Sequence, residues 1–129
     1  MSKFSNYLEE KILSATLQGG TFPTIAGAHL AIFTSSPGED GSGTECSYTG
    51  YGRQAMTFGA SNDGVTTTSG QIQFPALTGA TPVTVTDIGI YDAATGGNLL
   101  YYTNLQNSKT LTTDDVLSFA SGGVTVEVQ

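Results

Sequence analysis

Residues 83–105 read VTVTDIGIYDAATGGNLLYYTNL, two runs of β-branched and aromatic residues separated by a stretch of turn formers at 92–98. Such runs fit a pleated, half-buried surface, and the break between them fits a hairpin connection. Val83 and Val85 share one parity, whereas Ile88 and Ile90 share the other. A one-residue slip near Thr86 and Asp87 therefore predicts a β-bulge or a change of packing partner. Nothing in this stretch is suited to chemistry, and the remainder of the chain follows the same grammar.

The period-two pattern recurs along most of the 129 residues. Residues 29–34 form an expected strand that ends at Pro37-Gly38, with 39–43 a polar loop. Residues 45–48 are an expected short edge strand, and 53–58 a firmer one. Residues 61–64 (SNDG) signal a hairpin turn, 65–74 alternate polar and apolar, and 79–82 turn again. A strand over 99–105 is expected to end in a turn at 106–108, and Val116, Phe119, Val124, Val126 and Val128 alternate around Gly122-Gly123. Frequent short strands imply a mainly β domain, an antiparallel β-sandwich (jelly-roll or Ig-like) of about eight strands.

The period changes to 3.6 only at the N-terminus. Phe4, Tyr7, Leu8, Ile12, Leu13, Ala15 and Leu17 make a broad apolar stripe that predicts a helix over 2–18. Ser2 is the expected N-cap and Gly19-Gly20 the stop. The chain is therefore divided into an amphipathic helix arm at 1–20 and a β-sandwich at 21–129. This opening carries acids and has no continuous apolar core, so no signal peptide is expected, and no run approaches the length of a membrane span.

Four basic residues, Lys3, Lys11, Arg53 and Lys109, face 11 acidic ones, for a formal charge of −7. So few cations cannot neutralise a phosphate backbone or an anionic membrane, which argues against both as partners. A docked partner is instead expected to present a basic surface. Cys46 is the only cysteine and rules out an intrachain disulfide; without a basic neighbour it reads as a strand residue rather than a reactive thiol.

Catalysis has little to work with. The single histidine, His29, opens a strand and has no nucleophile-elbow serine near it, and one His with one Cys is too few for zinc. The carboxylate pairs Glu9-Glu10, Glu39-Asp40 and Asp114-Asp115 read as a helix surface, a solvated loop and a turn. The glycines at 50, 52, 96 and 97 read as turns rather than phosphate cradles, since none lies between a strand and a helix. No cofactor and no enzymatic activity are expected. Tyr48, Tyr51, Tyr101 and Tyr102 could stack on sugars, but adjacent residues of a strand face opposite sides. Arg53, the only arginine, is a candidate for a bidentate pair with Asp87, Asp92 or a carboxylate of another subunit.

The blocks MSKFSNYLEEKIL, HLAIFTSSPGEDGSGTE, GYGRQAMTF, TDIGIYDAATGGNLLYY and VLSFASGGVTVEV, in this order, resemble small virion structural proteins of tailed bacteriophages, a family often labelled tail fibre-like. The resemblance spans nearly the whole chain. It implies a virion component assembled in the host bacterial cytoplasm, with other virion proteins as partners and a homo-oligomeric state. The absence of heptads and repeats argues against a fibre shaft. The expectation is therefore a head decoration (cement) subunit on the major capsid protein lattice. A tail fibre or a tail-tip or adaptor subunit of the same virion is the alternative, and a carbohydrate-binding module a second one. Candidate interface residues are Phe4, Tyr7, Leu8 and Ile12 on the helix, with Tyr51, Arg53 and Tyr102 on the sandwich.

Overall fold

The computed structural model describes residues 3–128. Along the chain, a short strand β1 (Lys3–Phe4) is followed by helix α1 (Asn6–Leu17). Next come β2 (His29–Phe33), β3 (Gln54–Ala55), β4 (Val65–Thr67), β5 (Ile72–Gln73), β6 (Val83–Tyr91), β7 (Leu99–Leu111), β8 (Ser118–Phe119) and β9 (Thr125–Glu127). A five-stranded sheet of order β1-β7-β6-β2-β3 forms one layer, and two antiparallel pairs, β4-β9 and β5-β8, lie apart from it. The fold is mainly β, antiparallel and layered like a sandwich, as the period-two pattern predicts.

The β6-β7 hairpin is the frame. Its loop is closed by Asp92, whose carboxylate accepts from the Asn98 backbone N–H (2.7 Å) and from the Asn98 side-chain amide (3.0 Å). The pairing slips between Val85 and Asp87, where the sequence alternation also slips. From Asp87↔Asn104 to Val85↔Lys109, β6 advances two residues and β7 five. The turn expected at 106–108 is thus absorbed as a bulge within one long strand, because β6 continues beside β7 and re-pairs with it. At 61–64 the expected hairpin turn forms, with Asp63 (φ 51°) and Gly64 (φ 78°) both left-handed, as a two-residue primed turn requires. The firm strand expected at 53–58 is shorter, reduced to β3 and a single bridge from Phe58 to Thr68. The edge strand expected at 45–48 is only a bridge between Phe33 and Glu45.

Both faces of the central sheet are covered. Leu30, Ile32, Ile88 and Ile90 point to one side, where Ile72, Phe74, Leu77, Leu117, Val124 and Val126 of the second layer close the main core. Ala31, Phe33, Tyr91, Leu99 and Tyr102 form a smaller cluster on the other side. Gly89 belongs to that second face, and a side chain there would crowd Leu99 (2.9 Å) and the Phe33 ring (3.0 Å). The cover on this side is mostly loop. Gly43 packs so closely that a Cβ would collide with the Ser36 carbonyl and lie 2.6 Å from the Pro37 Cα.

The helix begins later than its apolar stripe. Ser2, the expected N-cap, lies outside the described residues, and the cap is Ser5, whose Oγ accepts from the Leu8 N–H (3.1 Å) and donates to the Leu99 carbonyl. Residues 3 and 4 are drawn into the sheet, pairing Lys3 with Tyr102 and Phe4 with Tyr101. Gly19 (φ 74°) ends the helix, as expected. Two backbone bonds, Ser5 N–H to Leu100 O and Asn6 N–H to Glu39 O (both 2.9 Å), fasten this segment to β7 and to the loop after β2.

Leu8, 3% exposed, faces inward. Leu8→Ala is expected to lower unfolding free energy by about 2–5 kcal/mol, and Gly43→Ala by about 1–3 kcal/mol through overpacking. Leu17→Ala, at a position 77% exposed, should change it by no more than about 0.5 kcal/mol. Urea denaturation of the three variants checks this ordering, and equal costs at Leu8 and Leu17 would contradict it.

Candidate functional site

The densest polar cluster gathers around Arg53, just before β3. Its guanidinium makes a two-pronged contact with Glu45, Nε to Oε2 and Nη2 to Oε1, each 2.9 Å. The remaining nitrogen, Nη1, donates to the carbonyls of Ala93 (3.1 Å) and Gly96 (2.7 Å) in the β6-β7 loop. The guanidinium carbon sits 3.6 Å from the centre of the Tyr91 ring. One side chain thus ties together the segment after β2, the start of β3 and the tip of the central hairpin. Its partner is Glu45, and neither Asp87 nor Asp92 takes that place: Asp92 is committed to its own hairpin, and Asp87 accepts from the Thr86 hydroxyl (2.6 Å).

Tyr51 completes the cluster. Its hydroxyl donates to Glu45 Oε2 (2.6 Å), and its ring lies parallel to Phe74 at 6.1 Å and edge-on to Tyr48 at 5.5 Å. Burial works against the Glu45 charge, but hydrogen bonds from Arg53 and Tyr51 and the attraction of Arg53 outweigh it and hold the carboxyl below its ordinary range. Burial, with the Glu45 hydrogen bond and charge, pushes the Tyr51 phenol well upward. Cys46, next to Glu45, is buried, and its thiol is pushed up to about 11, first by desolvation and then by the Glu45 charge. It is a packed residue without nucleophilic character at neutral pH.

An open cleft of about 560 Å³ lies beside this hub, bordered by Tyr48, Tyr51, Arg53 and the 94–96 loop. On its wall Glu45, Tyr51 and Arg53 are bonded to one another and the Tyr48 hydroxyl donates to the Pro75 carbonyl (2.8 Å), so it presents a finished polar surface rather than a set of waiting ligands. His29 Nδ1 lies 3.3 Å from the Gly27 carbonyl. The Asp114-Asp115 pair is a turn, with Asp114 left-handed (φ 70°) and Asp115 accepting from the Thr112 N–H and hydroxyl. Among the described residues, no three His, Cys, Asp or Glu side chains converge as a metal site would need.

The candidate interface residues are scattered. Arg53 and Tyr51 meet in the hub. Tyr102 is buried, with the Lys3 ammonium 5.9 Å from its ring centre. Phe4 is half-buried and packs edge-on against Tyr101 at 5.4 Å. Tyr7 is half-buried beneath the Lys11 ammonium (5.4 Å), Ile12 is half-buried, and Leu8 is buried. The large apolar side chains that remain open near the helix are Leu13 (49% exposed), Leu17 (77%) and Phe22 (40%). Sequence reasoning placed Leu13 and Leu17 in one stripe with Leu8. The signal that separates them is angular: Leu17 lies two and a half turns beyond Leu8, which at 3.6 residues per turn is the opposite side of the cylinder.

Because the Glu45 carboxyl is depressed in the folded state, its contribution to stability is complete above the ordinary carboxylate value of about 4.3. That contribution fades as pH falls through the folded-state value. Thermal unfolding of the wild type and Glu45→Gln between neutral and acid pH should show a gap in Tm that closes on acidification. A gap that stays constant with pH would mean that the Glu45 charge is not what stabilises the hub.

No curated protein matches the chain. The family model described as Podophage GP4 fiber I protein gp80 matches residues 3–127, almost the whole length. The described residues contain no helix long and apolar enough to cross a membrane. With an antiparallel β fold whose polar hub is built into its own framework, the chain belongs to the Podophage GP4 fiber I protein gp80 family and is a structural component of the virion.

Proposed function

We propose that this chain is a non-enzymatic subunit of a tail fibre or tail-tip assembly, working through shape and apolar contact with other virion proteins. The observation that carries this reading is the family match over residues 3–127, whose description is that of a fibre protein. The geometry supports an associative role: Arg53, Glu45 and Tyr51 saturate one another, and the Cys46 thiol is buried. Such groups hold a surface in shape; they do not turn over a substrate. The chain also lacks the heptads and repeats of a shaft, which suits a compact domain set at one end or joint of a fibre.

Head decoration is the second reading, favoured by the same lack of a shaft, since a compact sandwich can be laid in many copies on a shell. There, many weak contacts would act together through multivalency. A carbohydrate-binding role has less support. Tyr51 is held by Glu45 and Phe74, and Tyr102 is buried, so neither is placed as a free stacking platform.

Gold-labelled antibody on intact particles separates the first two readings. Label at the tail, with a handful of copies per particle, is expected. Label spread over the head, with hundreds of copies, would replace the fibre reading by decoration.

A further inference from the structure

The second half of helix α1 is apolar on two opposed sides. Leu8 is buried and α1 packs on β7, while Leu13 and Leu17, one turn apart, stand open on the outer side with Phe22 following in the chain. No small shift of the helix could bring both sides onto its own sheet, because they lie about 140–180° apart around the axis. A helix that is apolar on both sides is normally covered on both.

We propose that the outer ridge Leu13–Leu17–Phe22 is a self-association surface that docks on the same ridge of a second copy of this chain. The choice of occupant rests on charge. The molecule carries −7, yet residues 12–38 contain no Asp, Glu, Lys or Arg. All the acids that would attract a basic partner lie outside this segment. The ridge residues themselves lie within an uncharged segment of an acidic molecule, where two like-charged copies can meet with little repulsion. Ser14, Thr16, Gln18 and Thr21 supply an uncharged polar rim around an apolar centre, the usual anatomy of an interface. Glu10 shares this face, one turn before Leu13, and an antiparallel meeting of two α1 helices centred between Leu13 and Leu17 sets the Glu10 side chains of the two copies at opposite ends of the contact. The inference rests on the associative reading above, though not on whether the subunit sits at the tail or the head.

Sedimentation of the purified chain tests it. The wild type should form an oligomer that dissociates on dilution, and Leu13→Ser/Leu17→Ser should be monomeric with a Tm close to that of the wild type. The chain has no Trp, so Phe22→Trp gives a single reporter that leaves the helix untouched. Its emission should shift to the blue as concentration rises, and this readout stands even if the double variant folds poorly. A wild type that stays monomeric, with the emission of Phe22→Trp unshifted by concentration, would overturn the proposal, as would an oligomer that survives loss of both leucines. A monomer whose ridge variants lose only their attachment to particles would assign the ridge to another virion protein. Neither outcome would disturb the particle labelling that tests the fibre reading.

Discussion

The second half of strand β6, residues 87–91, is buried on both faces, and the rest of the molecule is arranged to meet that constraint. One face is closed by the second layer, whose strands alternate and bring Ile72, Phe74, Val124 and Val126 to bear. The other face has no sheet to cover it. Its apolar cluster, with the Phe33 and Tyr91 rings stacked at 6.3 Å, lies beneath loops and the start of the helix. Loops carry few apolar side chains of their own, so they are fixed by polar contacts. The Arg53–Glu45 pair, with Ala93 and Gly96, is the main one.

Such a pair is a poor source of net stability, because desolvating two charges offsets most of their attraction. Its effect is geometric. The guanidinium presents donors in a fixed plane, two to a carboxylate and one shared by two carbonyls, while its face rests on Tyr91. Lysine could not reproduce this, having neither the fork nor the flat face. In a chain with only four basic residues, its one arginine organises these loops.

The same economy shapes function. Arg53, Glu45 and Tyr51 are committed to the molecule's own loops, which supports the proposed associative role. The helix shows how this is done: Ser5 caps it and holds it to Leu99, Leu8 anchors it, and the far side is left apolar. Under the proposed associative role, the exposed ridge is the surface offered for contact.

Much of this was written in the pattern of residues. The hairpin across 92–98, the slip near Thr86, the turn at Asp63-Gly64 and the helix stop at Gly19 are local events, set by alternation and by which residues accept a left-handed backbone. The inert setting of Cys46 followed from its neighbours. The partner of Arg53 did not, because Glu45, Ala93 and Gly96 reach it only once β2, β3 and the hairpin stand side by side. Nor was it legible that residues 3 and 4 would leave the helix for the edge of β7, since an apolar residue before a helix fits either place equally well. The bulge at 106–108 replaced a turn for a similar reason: a neighbouring strand can hold a chain straight through residues that would otherwise bend it. Sequence alone determined the class of fold and the absence of charge along 12–38, because periodicity and composition are properties of neighbours in the chain. Only tertiary structure decided which side of the helix is spent on the core and which is left open, because that choice depends on where β7 lies.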